Sequence, residues 1–152
     1  MSEIKVLEGE FFKDHRGIIT SMNNLSFEGI ERFYVIKHDT TEVIRGWHAH
    51  QFEKKWFYCL KGGFKMAFVK IDNWENPSRD LKPEVFMISD KKSEMICVPE
   101  GYANCLQATT DDAELLVFSG KTYPECLSDS WRYDVNYWGE WDNLIVTNPD
   151  KI

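Results

Sequence analysis

The chain has 152 residues, room for one domain and one good core but not for two. Its 18 Lys and Arg stand against 25 Asp and Glu, a net charge of −7, which argues against a protein made to coat nucleic acid or an anionic membrane. Ten Phe, six Tyr and six Trp make 14% of the residues aromatic, a content foreign to disordered chains. At this length folding hides roughly 68–70% of the unfolded surface, so the core requires neither a metal nor a disulfide.

Met1-Ser2-Glu3-Ile4-Lys5 carries charge with no apolar run behind it, so no signal peptide is expected. No apolar stretch approaches the ~20 residues of a membrane helix. Phe33–His38 is the first clear strand and Val43–His50 the second, both rich in β-branched and aromatic residues. Lys55–Lys61 and Phe64–Asp72 flank Gly62-Gly63 and are expected to form a hairpin, adjacent glycines supplying the positive φ of a tight turn. Further strands are expected at Glu84–Ser89, Met95–Val98, Asn104–Ala108 and Glu114–Phe118, with a loop over 73–78 and a turn at 109–112. No run of ordinary helix length shows a 3.6 period. Eight or more short strands in one domain predict an all-β sandwich or rolled-up barrel over residues 1–152.

Cys59, Cys97, Cys105 and Cys126 show no C-x-x-C spacing, so a zinc knuckle is not expected. Three of the four lie in apolar strand-like text and read as reduced core thiols of a cytoplasmic protein. Trp131, Tyr133, Tyr137, Trp138 and Trp141 crowd into the tail. A flap covering the outside of the barrel, or a dimer contact, is favoured over a ring wall around a ligand, because aromatics dominate cores and interfaces.

Two of the four histidines, His48 and His50, stand two apart in an expected strand and so share a face. An H-x-H inside a barrel has three readings: hydrogen-bonded core histidines, metal ligands, or a general base with a helper. A metal wants further ligands converging on the pair. Beyond His50 the next charged residues are Glu53 and then Lys54 and Lys55, and Asn104 stands where a later His would be useful. The metal reading therefore falls well below the base reading. Cations near a base suit the removal of a proton beside a ketone, since donors must steady the enolate oxygen. Lys55, Arg45 and Arg16 are the candidate cations, and Tyr34, Tyr58 and Tyr102 candidate donors. A regular strand sends Arg45 to the face opposite His48, so its use requires a bulge, for which Gly46 is suited.

Asp14-His15-Arg16-Gly17, Val43-Ile44-Arg45-Gly46-Trp47-His48, Lys55-Trp56, Lys61-Gly62 and Pro99-Glu100-Gly101-Tyr102-Ala103 match, in the same order, the motifs of dTDP-4-dehydrorhamnose 3,5-epimerases, which the chain resembles. Arg45-Gly46-Trp47-His48-Ala49-His50 is still more similar to the R-G-x-H-A-H of dTDP-4-keto-6-deoxyglucose 3,4-ketoisomerases, as is the closing 128–134 segment. The resemblance spans about residues 11–138. It implies a cupin jelly-roll barrel with a short aromatic C-terminal flap, a nucleotide-diphosphate sugar as substrate, no cofactor, and a homodimer. It makes His48 the base, His50 a helper, and Lys55 the group that holds the enolate oxygen. Arg16 and Arg45 become ligands of the diphosphate-sugar, with Asn104, Tyr34, Tyr102 and Tyr123 as further substrate-binding candidates.

The chain departs from the epimerase pattern at Asn104, where the second histidine falls, and near Val117 and Phe118, where the tyrosine acid falls. No C-terminal counterpart supplies an Asp to the base. A 3,4-ketoisomerase or single-carbon epimerase is therefore expected over a full 3,5-epimerase. The alternatives are a metal-dependent cupin using the H-x-H with Glu53, and a non-catalytic sugar-nucleotide-binding module.

Overall fold

A computed structural model describes residues 3–147. Twelve strands run β1 Lys5–Glu8, β2 Glu10–Asp14, β3 Gly17–Ser21, β4 Arg32–His38, β5 Ile44–Ala49, β6 Lys55–Lys61, β7 Gly63–Lys70, β8 Glu84–Ser89, β9 Glu94–Val98, β10 Tyr102–Ala108, β11 Ala113–Ser119 and β12 Trp131–Arg132. One short helix, α1 Tyr123–Leu127, and a 3-10 turn, Trp141–Asn143, complete the elements. Two antiparallel five-stranded sheets face each other, in the orders β1-β9-β6-β11-β4 and β12-β5-β10-β7-β8, and β2 and β3 form a separate hairpin. This is a cupin-type jelly roll in one domain.

The burial pattern explains the strands. In β11, Ala113, Leu115, Val117 and Ser119 point inward while Glu114, Leu116 and Phe118 point out, the period-2 signature of a sheet with one face on the core. Phe57, Phe64, Phe68, Phe86, Ile96, Leu106 and Leu115 fill the space between the sheets. The second sheet is buried on both faces. Trp47, Ala49, Val69, Ala103 and Cys105 lie on its outer side, under Trp138 and Trp141 of the tail, with Trp131, Tyr133 and Tyr137 packed around them. The aromatic tail is thus a flap over the barrel's outside. Trp138 meets Trp47 edge-on at 4.9 Å, and its Nε1 donates to the Ser78 carbonyl at 2.9 Å.

All eight strands expected from the sequence are present, two with the expected ends and six with ends shifted by one or two residues. The expected hairpin at Gly62-Gly63 is not. β6 and β7 belong to different sheets, and the glycines carry the chain across the open edge between them. Gly62 has φ 71°, and a Cβ there would lie 2.0 Å from Thr110 Oγ1. Asp90 and Thr110 accept from the two glycine N–H groups, so this corner is closed by side chains rather than by a strand ladder. The hairpin β2–β3 and the strand β1 were not expected, since their alternation is short and interrupted by charge. All four cysteines are free thiols, and only Cys97 is not fully buried.

Candidate active site

The site lies where β4 and β6 of one sheet and β5 and β10 of the other contribute to a common cavity. It is a cavity of about 600 Å³ whose polar lining is Tyr34 and Lys37 from β4, Arg45 and His48 from β5, Lys55 from β6, Asn104 from β10 and Arg132 from β12. Four cations line it, and none of its lining residues is acidic. In a chain of net charge −7, this concentrates positive charge at one place.

Arg45 reaches the cavity through a bulge. Asn104 pairs with His48 and Leu106 with Arg45, so three steps of β5 oppose two of β10. The extra residue, in the Gly46-Trp47 stretch, turns Arg45 to the same cavity as His48 while Trp47 stays in the outer core. Arg45 Nε then donates to His38 Nε2 at 2.9 Å. That bond makes Nδ1 the protonated nitrogen of a buried histidine. Burial, then the Arg45 charge, push His38 below the ordinary histidine range, which keeps Nε2 available as an acceptor.

The tail completes the site. β12 pairs with β5, setting Trp131 opposite Ala49 and Arg132 opposite His48. Ser130 Oγ lies 2.8 Å from His48 Nε2. The Asp129 carboxylate accepts from the backbone N–H groups of Gln51 and Phe52, both at 2.9 Å, and its carbonyl accepts from His50 Nδ1.

His48 is pushed down to about 3, first by burial and then by the charges of His50, Lys55 and Arg132, with Glu53 acting in the opposite sense. It is therefore an unprotonated base at neutral pH. Lys55 Nζ sits 3.5 Å from Asn104 Oδ1 and 3.7 Å from Glu53 Oε1. Base and ammonium thus share one cavity wall.

His48, Lys55, Arg45, Asn104 and Tyr34 line this one cavity. His50 is not on the cavity surface. It stands behind His48, ring centroids 4.4 Å apart, with one nitrogen on Asp129 and Nε2 at 3.3 Å from Glu53 Oε1. Arg16 lies on the β2–β3 hairpin, its side chain 72% exposed and paired with Asp14 at 2.5 Å, away from the cavity. Tyr102 sits opposite Lys70 further along β10, outside the cavity lining. Tyr123 is exposed on α1, its ring 5.4 Å from the Arg32 guanidinium. Tyr58 faces away from the cavity and bonds Ser93 at 2.9 Å.

Glu53, weighed from the sequence as a metal ligand, is turned instead to His50, Lys55, Ser119 and Cys126. Among the described residues no group of three or more His, Cys, Asp or Glu is arranged to hold a metal ion. Sequence reasoning missed Lys37, Arg132, Ser130 and His38. Arg132 and Ser130 had a visible signal, since both stand inside the closing 128–134 segment, whereas His38 had none, because only the fold makes it a neighbour of Arg45.

The class the fold defines is a cupin-type jelly roll, here with an unprotonated histidine and four cations gathered in one cavity. The chain belongs to the dTDP-4-dehydrorhamnose 3,5-epimerase family, whose model matches residues 1–151, and is an enzyme of the isomerase class. No curated protein matches it. Its fold is similar to that of QdtA, a sugar 3,4-ketoisomerase from Thermoanaerobacterium thermosaccharolyticum solved with TDP (21% identity, 89% of this chain and 91% of that one, TM-score 0.68). It is also similar to WlaRB, a TDP-quinovose 3,4-ketoisomerase from Campylobacter jejuni (18%, 91% and 98%, 0.70). A third likeness is to ChmJ, a 3'-monoepimerase from Streptomyces bikiniensis solved with dTDP-quinovose (16%, 94% and 77%, 0.74).

Proposed function

We propose that the chain relocates a proton on a nucleotide-diphosphate-linked 4-keto-6-deoxy sugar, as a 3,4-ketoisomerase or a single-carbon epimerase. The observation that carries this reading is the cavity itself, where His48, held unprotonated, faces Lys55, Arg45, Arg132 and Lys37 with no carboxylate in the lining. His48 takes the proton from the carbon beside the ketone, and the electron pair moves onto the carbonyl oxygen. Lys55 and Tyr34 are the donors to that enolate. Return of the proton to the former carbonyl carbon, with a hydroxyl proton passing between the two oxygens through Tyr34, gives the ketoisomer. Delivery of a proton to the other face of the first carbon by a second donor, for which Tyr34 is the candidate in the lining, gives the epimer. His48 then gives up its own proton to solvent.

Arg45 and Arg132 are the ligands for the diphosphate, whose charge suits guanidinium forks. Near Val117 and Phe118, where the resemblance places the epimerases' tyrosine acid, neither side chain has a proton to give, and Val117 is fully buried in the core, which speaks against full 3,5-epimerisation. Arg16 fits the same reading through a homodimer. The hairpin that carries it exposes Phe11, Phe12, Ile18 and Ile19, and Phe27, Phe33 and Leu60 are exposed on the same chain, apolar surface of the kind a second copy covers. Four free thiols suit a cytoplasmic location.

The test is a panel of dTDP-, UDP- and GDP-linked 4-keto-6-deoxy sugars monitored by proton NMR. A 3-keto product or a single inverted centre from one of them is expected. A panel returned unchanged overturns the reading.

A further inference from the structure

Glu53 is a carboxylate whose side chain is 1% exposed, and such a charge persists in a protein interior only when paired and hydrogen-bonded. Its two oxygens are used unequally. Oε2 accepts from Ser119 Oγ and from the Cys126 thiol at 3.2 Å, with Arg32 Nη2 at 3.8 Å. Oε1 accepts no hydrogen bond, yet His50 Nε2 lies 3.3 Å away and Lys55 Nζ 3.7 Å. One oxygen is anchored to β4, β11 and α1, and the other is left facing two basic groups of the site.

The tautomer of His50 makes that unused oxygen meaningful. A backbone carbonyl only accepts, so the bond to Asp129 fixes the proton on Nδ1. A second proton on His50 can then arrive only at Nε2, and Glu53 Oε1 is the acceptor waiting for it. Four charged or titratable groups face the ring: His48 beside it, Lys55 on β6, Glu53, and Asp129 on the tail. Burial and Lys55 oppose protonation, while Glu53 and Asp129 favour it. Burial works against the ionised Glu53 as well, but Lys55, the Ser119 hydroxyl, His50 and the Cys126 thiol together hold its carboxyl below the ordinary range.

We propose that Glu53 is a positioning residue of the active site, a buried counter-charge that holds the Lys55 ammonium at the cavity wall and stands as the acceptor for a second proton on His50 behind His48. The inference rests on the proton-transfer reading above for its consequence, but its physical content is the coupling of Glu53 to His50. It joins the site to α1 through Cys126, so the segment that delivers Asp129, Ser130 and Arg132 is braced by the same carboxylate.

The experiment tracks the ¹⁵N resonances of His50 with pH in the ligand-free protein, for wild type, Glu53→Gln and Glu53→Asp, and compares kcat and KM on the nucleotide-linked sugar. Glu53→Gln is expected to move the His50 titration to lower pH by at least about one unit. The same variant is expected to lower kcat about tenfold or more with KM within about twofold. Glu53→Asp, which keeps the charge, is expected to restore both the titration and most of kcat. A His50 titration identical in wild type and Glu53→Gln overturns the inference, as does Glu53→Asp being as impaired as Glu53→Gln. Should Glu53→Gln not fold, Lys55→Gln reads the same set from its other side, and His50 must then titrate at higher pH. If no nucleotide-linked sugar turns over, the proposed function fails, while the titration still decides the role of Glu53.

Discussion

His48 is a base made weak by its surroundings, and those surroundings are what an anionic ligand changes. Burial contributes most to its low value of about 3, but Lys55 and Arg132 add to it. A diphosphate seated on Arg45 and Arg132 neutralises part of that charge, so binding should strengthen the base at the moment it is required. The expected result is that His48 titrates at higher pH with TDP bound than without, read by ¹⁵N NMR. A titration that stays put or falls would mean that the anion does not bind beside it. His48→Asn should lower kcat by roughly 10²–10⁴-fold, the usual range for a general base, with little change in TDP affinity. Arg45→Ala should do the reverse. A charge-assisted bond is worth about 1.5–3 kcal/mol, so the TDP dissociation constant should rise about tenfold or more while kcat changes less, as calorimetry and steady-state kinetics would show. His38, which accepts from Arg45, was not legible in the sequence: a histidine ending a strand carries no sign that an arginine seven residues later will turn back to it.

At the scale of elements, one extra residue in β5 decides whether Arg45 serves the site. The sequence pointed to Gly46 as the place for a bulge, and the register shift opposite Asn104–Leu106 lies there. Strand positions were legible because apolar alternation and turn residues are local signals. The sheet to which each strand belongs was not. β6 and β7 are joined by two glycines, yet they pair with β9 and β11 on one side and with β10 and β8 on the other, a choice made by long-range packing. The tail shows the same limit. Its rings were visible in the sequence, and so was their tendency to cover the barrel. Their second task, carrying Ser130 and Arg132 to His48 along β12, was not. Trp138 is 4% exposed and locked against Trp47, so Trp138→Ala should cost about 3–5 kcal/mol. Denaturant unfolding would measure it, and a loss below about 1 kcal/mol would mean that the flap does not contribute to the folded core.

At the scale of the whole molecule, acidity acts through three histidines. His38, His48 and His50 are all held below 6.5, in each case with burial as the largest cause. The unfolded chain therefore binds more protons than the folded one as pH drops beneath 6.5, and stability must fall with it. For His48 that fall continues to about pH 3, and Glu53, held below its ordinary value by its partners, adds to it in the carboxylate range. The melting temperature is expected to decline steadily from pH 7 toward pH 4. His48→Asn should decline less steeply, and an equal slope in both proteins would contradict the assignment of His48. The same concentration of cations reconciles an acidic chain with an anionic ligand. Net charge describes the outer surface, whereas four basic residues set the field inside one cavity.

Removal of a proton beside a ketone by His48 can be followed in deuterated water with a nucleotide-linked 4-keto-6-deoxy sugar and proton NMR. Wild-type protein should replace the hydrogen on the carbon next to the ketone with deuterium, and His48→Asn, still binding the nucleotide, should not. Retention of that hydrogen with the wild type, or its loss at an equal rate with His48→Asn, would exclude His48 as the base.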